Sequence, residues 1–229
     1  TTNELTREHV PPRAVGGREI ILTCRPCNNR AGSTVDAAAA KRAQLKGLSD
    51  LISGKREDGV FPIVFTAPDG TELNARVSRD QSGLKFRIPQ TVNNPQKILQ
   101  SEEKSKELMS LNGGLTFRVR SEFRFSGRSA EISHLRSAFL VATAKFGYTF
   151  AFSKSLEDVR RQILQPDKEI FSIPCVHIYE NSLGRLLVSQ ELNALLIAIE
   201  DRILALPLPG TSTSTWSKTR SKISLGKKF

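Results

Sequence analysis

The sequence predicts an α+β protein with antiparallel strands, and three observations lead there. Two strand-like runs precede a helix-forming stretch within residues 1–56, the turn Ala67-Pro68-Asp69-Gly70 opens a meander, and Ile132, Leu135, Phe139, Ala142 and Phe146 recur at helical spacing. The chain of 229 residues is long enough to bury a real core, as one large domain or two small ones, and two are expected.

The first unit is expected over residues 1–56. Leu5-Thr6-Arg7-Glu8-His9-Val10 is a short strand stopped by Pro11-Pro12, Gly16-Gly17 makes a loop, and Glu19-Ile20-Ile21-Leu22-Thr23 is a second strand. A helix starts near Asn28, is interrupted near Gly32-Ser33 and resumes in the run Ala37-Ala38-Ala39-Ala40-Lys41-Arg42-Ala43 towards Leu51. Gly54 and the charged run 55–59 form a linker.

A second α+β domain of unassigned role is expected over residues 60–207. Strands flank the Asp69-Gly70 turn, a third covers Leu84-Lys85-Phe86-Arg87-Ile88, and a charge-laced helix from Pro95 to Leu111 stops at Gly113-Gly114. Residues 115–125 supply one or two strands, and the stripe from Ile132 to Phe146 is a core helix stopped by Gly147. Ser155-Leu156-Glu157-Asp158 matches a capping box for a helix through Leu164, and residues 170–179 with 185–189 form a hairpin across Asn181-Ser182-Leu183-Gly184. From Gly210 the composition turns to serine, threonine and lysine around Trp216, and residues 210–229 are expected to be a basic, flexible tail.

Lysine and arginine number 34 against 23 acids, a formal charge of +11, which favours a polyanionic partner such as nucleic acid. No stretch has the length and apolarity of a membrane span and no charged-then-apolar leader opens the sequence, so a cytoplasmic protein with no membrane partner is expected. Three cysteines are too few for a disulfide scaffold, and Cys24-Arg25-Pro26-Cys27 has the spacing of a metal-binding pair.

The residues able to carry chemistry cluster in the first unit. His9 can take a proton near neutral pH, and Glu8 beside it is a hard oxygen ligand. Strand neighbours point to opposite faces, so the two share a site only where the strand is ending, which Pro11-Pro12 permits. Asn28, at the start of a helix, can offer its carbonyl oxygen to a divalent ion, and Arg30 can clamp a phosphate there. The plainer alternatives are a solvated Glu-His strand end and two buried thiols. Zinc needs four ligands and only Cys24 and Cys27 are visible, so the other half lies upstream or is absent, with His9 as a rival ligand. Asp36 lies about 12 Å along an unbroken helix from Asn28 at ~1.5 Å per residue, too far for one ion, and the pattern Ser33-Thr34-Val35-Asp36 makes it a capping residue first. His134 falls off the apolar stripe and is expected in solvent, while His177 and Cys175 are expected in the core.

Leu5-Thr6-Arg7-Glu8-His9-Val10-Pro11, the Gly16-Gly17 loop and the run Leu22-Thr23-Cys24-Arg25-Pro26-Cys27-Asn28-Asn29-Arg30-Ala31-Gly32-Ser33 together resemble the HNH endonuclease family. The resemblance implies a ββα-metal finger in which Glu8 and Asn28 hold a divalent ion, Mg or Mn. It also implies that His9 takes the proton of the attacking water and that Cys24 and Cys27 belong to a structural Zn site. The family's middle residue has no counterpart between Val10 and Thr23, which leaves the group that orients the imidazole unassigned. The implied activity is metal-dependent hydrolysis of a phosphodiester, in DNA first and RNA second, with Arg7, Arg13, Arg25 and Arg30 as phosphate contacts. The alternative is a non-catalytic nucleic-acid-binding or protein-interaction component that keeps an HNH-like zinc finger. The second domain would then select targets, form a homo-oligomer or bind a partner protein.

Overall fold

The structure, a computed structural model, describes residues 4–112, 118–121, 126–177 and 185–224. It divides into two compact units that do not follow the expected boundaries: Thr1–Arg42 joins Phe125–Phe229, and Ala43–Arg124 stands as the other. The predicted stop at Gly113-Gly114, most of the segment 115–125 and the turn 181–184 lie outside the described residues.

The first unit opens with the antiparallel pair β1 (Leu5–Val10) and β2 (Arg18–Cys24), joined through a 3-10 turn at Arg13–Val15. Gly17 is required in this loop, since a Cβ there would lie 1.4 Å from the Pro11 carbonyl oxygen. Helix α1 (Arg25–Ala31) follows at once, three residues earlier than the sequence suggests, with Pro26 in its first turn. No break follows: a π-helical turn at Gly32–Asp36 leads into α2 (Ala37–Ile52), inside which the boundary between the units falls.

The same unit resumes at α4 (Gly127–Ala151), capped by Ser126, whose hydroxyl oxygen accepts from the Ser129 N–H at 3.2 Å, and kinked at Gly147, φ 79°. Residues 132–138 of this helix are all buried, because it lies between two layers. Ile132 packs on Ala31 and Val35, while Leu135 and Ala138 join Leu195, Ile197 and Leu204 of the sheet. A helix enclosed on all sides has no solvent stripe, which corrects the expectation for His134: it is 4% exposed. The short helix α5 (Glu157–Leu164) begins where predicted, though Leu156 at its N-cap gives no side-chain hydrogen bond.

Four antiparallel strands complete this unit: β7 (Cys175–His177), β8 (Leu186–Ser189), β9 (Ala194–Ile199) and β10 (Arg202–Pro207). Their order is β7-β10-β9-β8, so β7 and β8 lie at opposite edges and do not form the predicted hairpin. The central strands β9 and β10 read ALLIAI and RILALP, continuous apolar runs with no alternation to mark them. Cys175 is half-buried and His177 exposed on the β7 edge, where both were expected in the core. Residues 213–224 form helix α6 (Thr213–Ser224) instead of a loose tail: Trp216 stacks on Phe171 at 5.9 Å between ring centres and Ile223 is buried.

The second unit is an antiparallel sheet, β5-β4-β3-β6, built from β3 (Phe61–Thr66), β4 (Glu72–Asp80), β5 (Gly83–Arg87) and β6 (Arg118–Arg120), with α3 (Pro95–Asn112) between β5 and β6 in the chain. Leu48 and Leu51 of α2 cover Phe61, Ile63, Ala75 and Val77 of its inner face. No described helix is long and apolar enough to cross a membrane.

Candidate active site

The β1–β2 pair carries an irregularity between Glu8 and His9. Glu8 faces Ile21 and His9 faces Glu19, which leaves Ile20 as an extra residue on β2. Glu8 turns inward and is 3% exposed, whereas His9 is half-exposed, with Nε2 3.7 Å from Glu19 Oε1. Glu19 also accepts a hydrogen bond from Arg7 Nη1 at 3.0 Å. Glu19 is thus set opposite His9 by strand pairing alone, a neighbour of the imidazole that could not be assigned from the sequence.

Glu8 sits in a saturated polar node. Arg136 of α4 donates to Oε2 through Nη2 at 2.5 Å and to Oε1 through Nη1 at 3.3 Å, and Thr23 Oγ1 donates to Oε2 at 3.1 Å. With its amide nitrogen turned to Glu8, Asn28 donates to Oε2 at 2.6 Å and Oε1 at 3.2 Å. Arg136 Nη1 also reaches Asp36 Oδ2 at 2.9 Å, and Ser133 Oγ donates to Asp36 Oδ1 at 2.7 Å. Asp36 is therefore a member of the site and not a cap. The axial separation from Asn28 that rules out one shared ion does not hinder a guanidinium, whose fork spans both carboxylates.

This arrangement bears on each predicted ligand. Glu8 and Asn28 lie side by side, but both Glu8 oxygens already accept from the Arg136 guanidinium, and Oε2 also from Thr23, so a divalent ion could reach them only in place of those donors. Among the described residues no group of three or more His, Cys, Asp or Glu side chains is placed to hold one. Cys24 and Cys27 are joined as a disulfide across a Cα separation of 5.3 Å, in place of the zinc-bound thiolates the resemblance implies. Sulfurs in that bond have no thiolate to offer zinc, although the strand–helix corner would bring the same two thiols together on reduction. Cys24 Sγ also accepts from the Cys27 N–H at 3.2 Å, which starts α1.

The four predicted phosphate contacts divide into two pairs. Arg7 is held by Glu19 and Arg25 by Glu4, both at the surface. Arg13 and Arg30 are exposed and have no acidic partner among the described residues. Arg30 lines a cleft of about 230 Å³ with Cys27, Thr34 and Arg136. Away from this region, His134 is tied by Nδ1 to the Ala130 carbonyl at 2.6 Å and by Nε2 to Glu200 at 3.3 Å, a structural pairing. Burial pushes the Cys175 thiol above its ordinary value, which keeps it protonated.

Arg136 is the residue sequence reasoning missed. Its signal was present: it follows Ile132 by four and precedes Phe139 by three, which places a cation on the apolar stripe of a core helix.

Residues 1–44 match the family model of HNH endonuclease. The β1–β2 hairpin and the helix after it are thus the part of the chain that is similar to the HNH endonuclease family. No curated protein and no solved structure matches the chain.

Proposed function

We propose that the protein is an HNH-type endonuclease that hydrolyses a nucleic-acid phosphodiester, with DNA as the favoured substrate and His9 as the base. The observation that carries this reading is the HNH endonuclease match over residues 1–44, within which His9 stands half-exposed beside Glu19. With Nε2 facing Glu19, Nδ1 is the nitrogen left to accept a proton from water, and the carboxylate holds the ring in that orientation. Arg13 and Arg30 are cations available to phosphates, and Arg7 and Arg25 can exchange exposed acidic partners for phosphate at little cost. No step is assigned to a metal, because Glu8 and Asn28 are engaged with other groups.

A second reading, a nucleic-acid-binding protein that no longer cuts, is favoured by the saturation of Glu8. Plasmid cleavage with Mg or Mn beside a binding titration separates the two. His9→Ala is expected to lower cleavage by roughly 10²- to 10⁴-fold, the usual contribution of a general base. Its DNA affinity should stay within about twofold, because phosphate contacts dominate binding. Cleavage by the alanine variant at the wild-type rate removes His9 as the base. A wild-type protein that binds DNA and never cuts it establishes the second reading.

A further inference from the structure

The node around Arg136 combines features that a simple surface ion pair lacks. Glu8, Asp36 and Arg136 are all less than 10% exposed, and the guanidinium contacts both carboxylates at once. One helix, α4, supplies both the cation and the clip on its second anion, since Ser133 lies three residues before Arg136 and donates to Asp36. Thr23 and Asn28 fill the remaining acceptor positions of Glu8.

A buried carboxylate stays ionised only beside a positive charge. In a site of HNH type that charge would be a divalent ion, and here a guanidinium occupies the same oxygens. The two exclude each other: Nη2 at 2.5 Å from Oε2 leaves no approach for an ion that binds oxygen at about 2.0–2.6 Å. Arginine, unlike lysine or histidine, cannot relieve the conflict by losing a proton.

We propose that Arg136 is the resident cation of the Glu8–Asp36 node and stands in the place of a divalent ion, which can reach Glu8 only by displacing the guanidinium. This rests on the HNH-type reading only for the expectation that an ion belongs at Glu8. Without the guanidinium, the Glu8 carboxylate, the Thr23 hydroxyl and the Asn28 amide oxygen form a hard-oxygen set suited to Mg or Mn, with the Asp36 carboxylate, which shares Arg136 Nη1 with Glu8, as a second negative charge beside it.

The test is Mn binding to the full chain, read from loss of the free-ion electron paramagnetic resonance signal. Wild type is expected to show no Mn binding that depends on Glu8. Arg136→Gln should bind one Mn roughly tenfold or more tightly than wild type, about 1.4 kcal/mol, and Glu8→Gln added to it should abolish the gain. A folded Arg136→Gln that binds no more tightly than wild type overturns the proposal. A second measurement needs no substitution: the Arg136 guanidinium N–H resonances of the wild-type protein should be slow to exchange and unshifted through millimolar Mg. A saturable shift overturns the proposal. Both readouts are independent of cleavage, so the proposal can fail while His9 remains the base, or stand in a protein that does not cut.

Discussion

Among the described residues of the unit Ala43–Arg124, Ser101 is the single buried polar side chain. The other unit buries Glu8, Asp36, Arg136, His134, Gln162, Arg202 and Thr219 besides three further hydroxyl residues. In the former, β4 alternates inside and outside over Leu73, Asn74, Ala75, Arg76 and Val77, so apolar burial alone selects its face. In the latter, specific polar nodes tie distant segments. Gln162, fully buried, accepts from the N–H groups of Ile170 and Phe171 at 2.8 and 3.0 Å and donates to the Lys168 carbonyl at 2.8 Å. Apolar faces tolerate many partners, whereas a buried charge tolerates only the one that neutralises it. The unit that carries the HNH-type hairpin is therefore the one whose integrity depends on single side chains.

The sharpest way to break this comparison is to unpair one charge in each unit. Arg136→Gln leaves two buried carboxylates uncompensated and should cost about 3–5 kcal/mol, within the ~5–15 kcal/mol that a folded domain has to lose. Glu72→Gln removes one partner of Arg120, in an ion pair whose side chains are 52% and 51% exposed, and should cost less than about 1 kcal/mol. Denaturant titrations of both variants provide the measurement. Equal losses would mean that the buried node is no more than another ion pair.

A smaller effect is expected at α6, where the composition alone suggests a tail. Trp216→Ala removes the stack on Phe171 and its packing against the cluster of Leu192, Ala194, Ala205 and Ile223. The ring is only partly buried, so about 2 kcal/mol is expected, below the 3–5 kcal/mol of a fully enclosed tryptophan. Faster amide exchange in β10 should accompany it. An unchanged melting temperature would return the segment to the status of a flexible tail.

The smallest effect is one of pH in the other unit. Hydrogen bonds from Lys85 and Ser82 hold the Asp80 carboxyl down at about 2, below its ordinary 3.8. A depressed folded-state value favours the ionised form, so this group stabilises the fold fully above its unfolded value. That contribution fades as the pH falls towards 2. Asp80 lies at the surface, and the difference should be slight. Thermal melts of wild type and Asp80→Asn should differ by a constant amount from pH 7 to 5, draw together below pH 4 and converge only below pH 2. A gap that widens on acidification would reverse the sign of the linkage.

Local features of the site were legible in the order of residues. Pro11-Pro12 ended β1, the C-x-x-C corner placed Asn28 early in a helix, and the Asn28 amide lies beside the Glu8 carboxylate. The α+β class, the helix at Pro95 and the start of α5 also followed from periodicity and turn chemistry, which act over a few residues, while Gly147, expected to stop α4, only kinks it. Where a signal depended on contrast it failed: β9 and β10 are apolar throughout, so no alternation marked them as the centre of a sheet.

What tertiary structure alone decided is the company each charge keeps. Glu8 meets Arg136 across 128 positions of chain and Asp36 meets it across 100, and no local propensity records a pairing at that distance. The strand irregularity at Ile20, which sets Glu19 opposite His9, is equally invisible until the two strands are aligned. Sequence by itself determined which residues are chemically able to hold an ion or take a proton. Whether Glu8 holds an ion or a guanidinium depends on which cation the folded chain brings to it. Burial makes an unpaired charge too costly to leave, and the long helix α4 delivers the arginine.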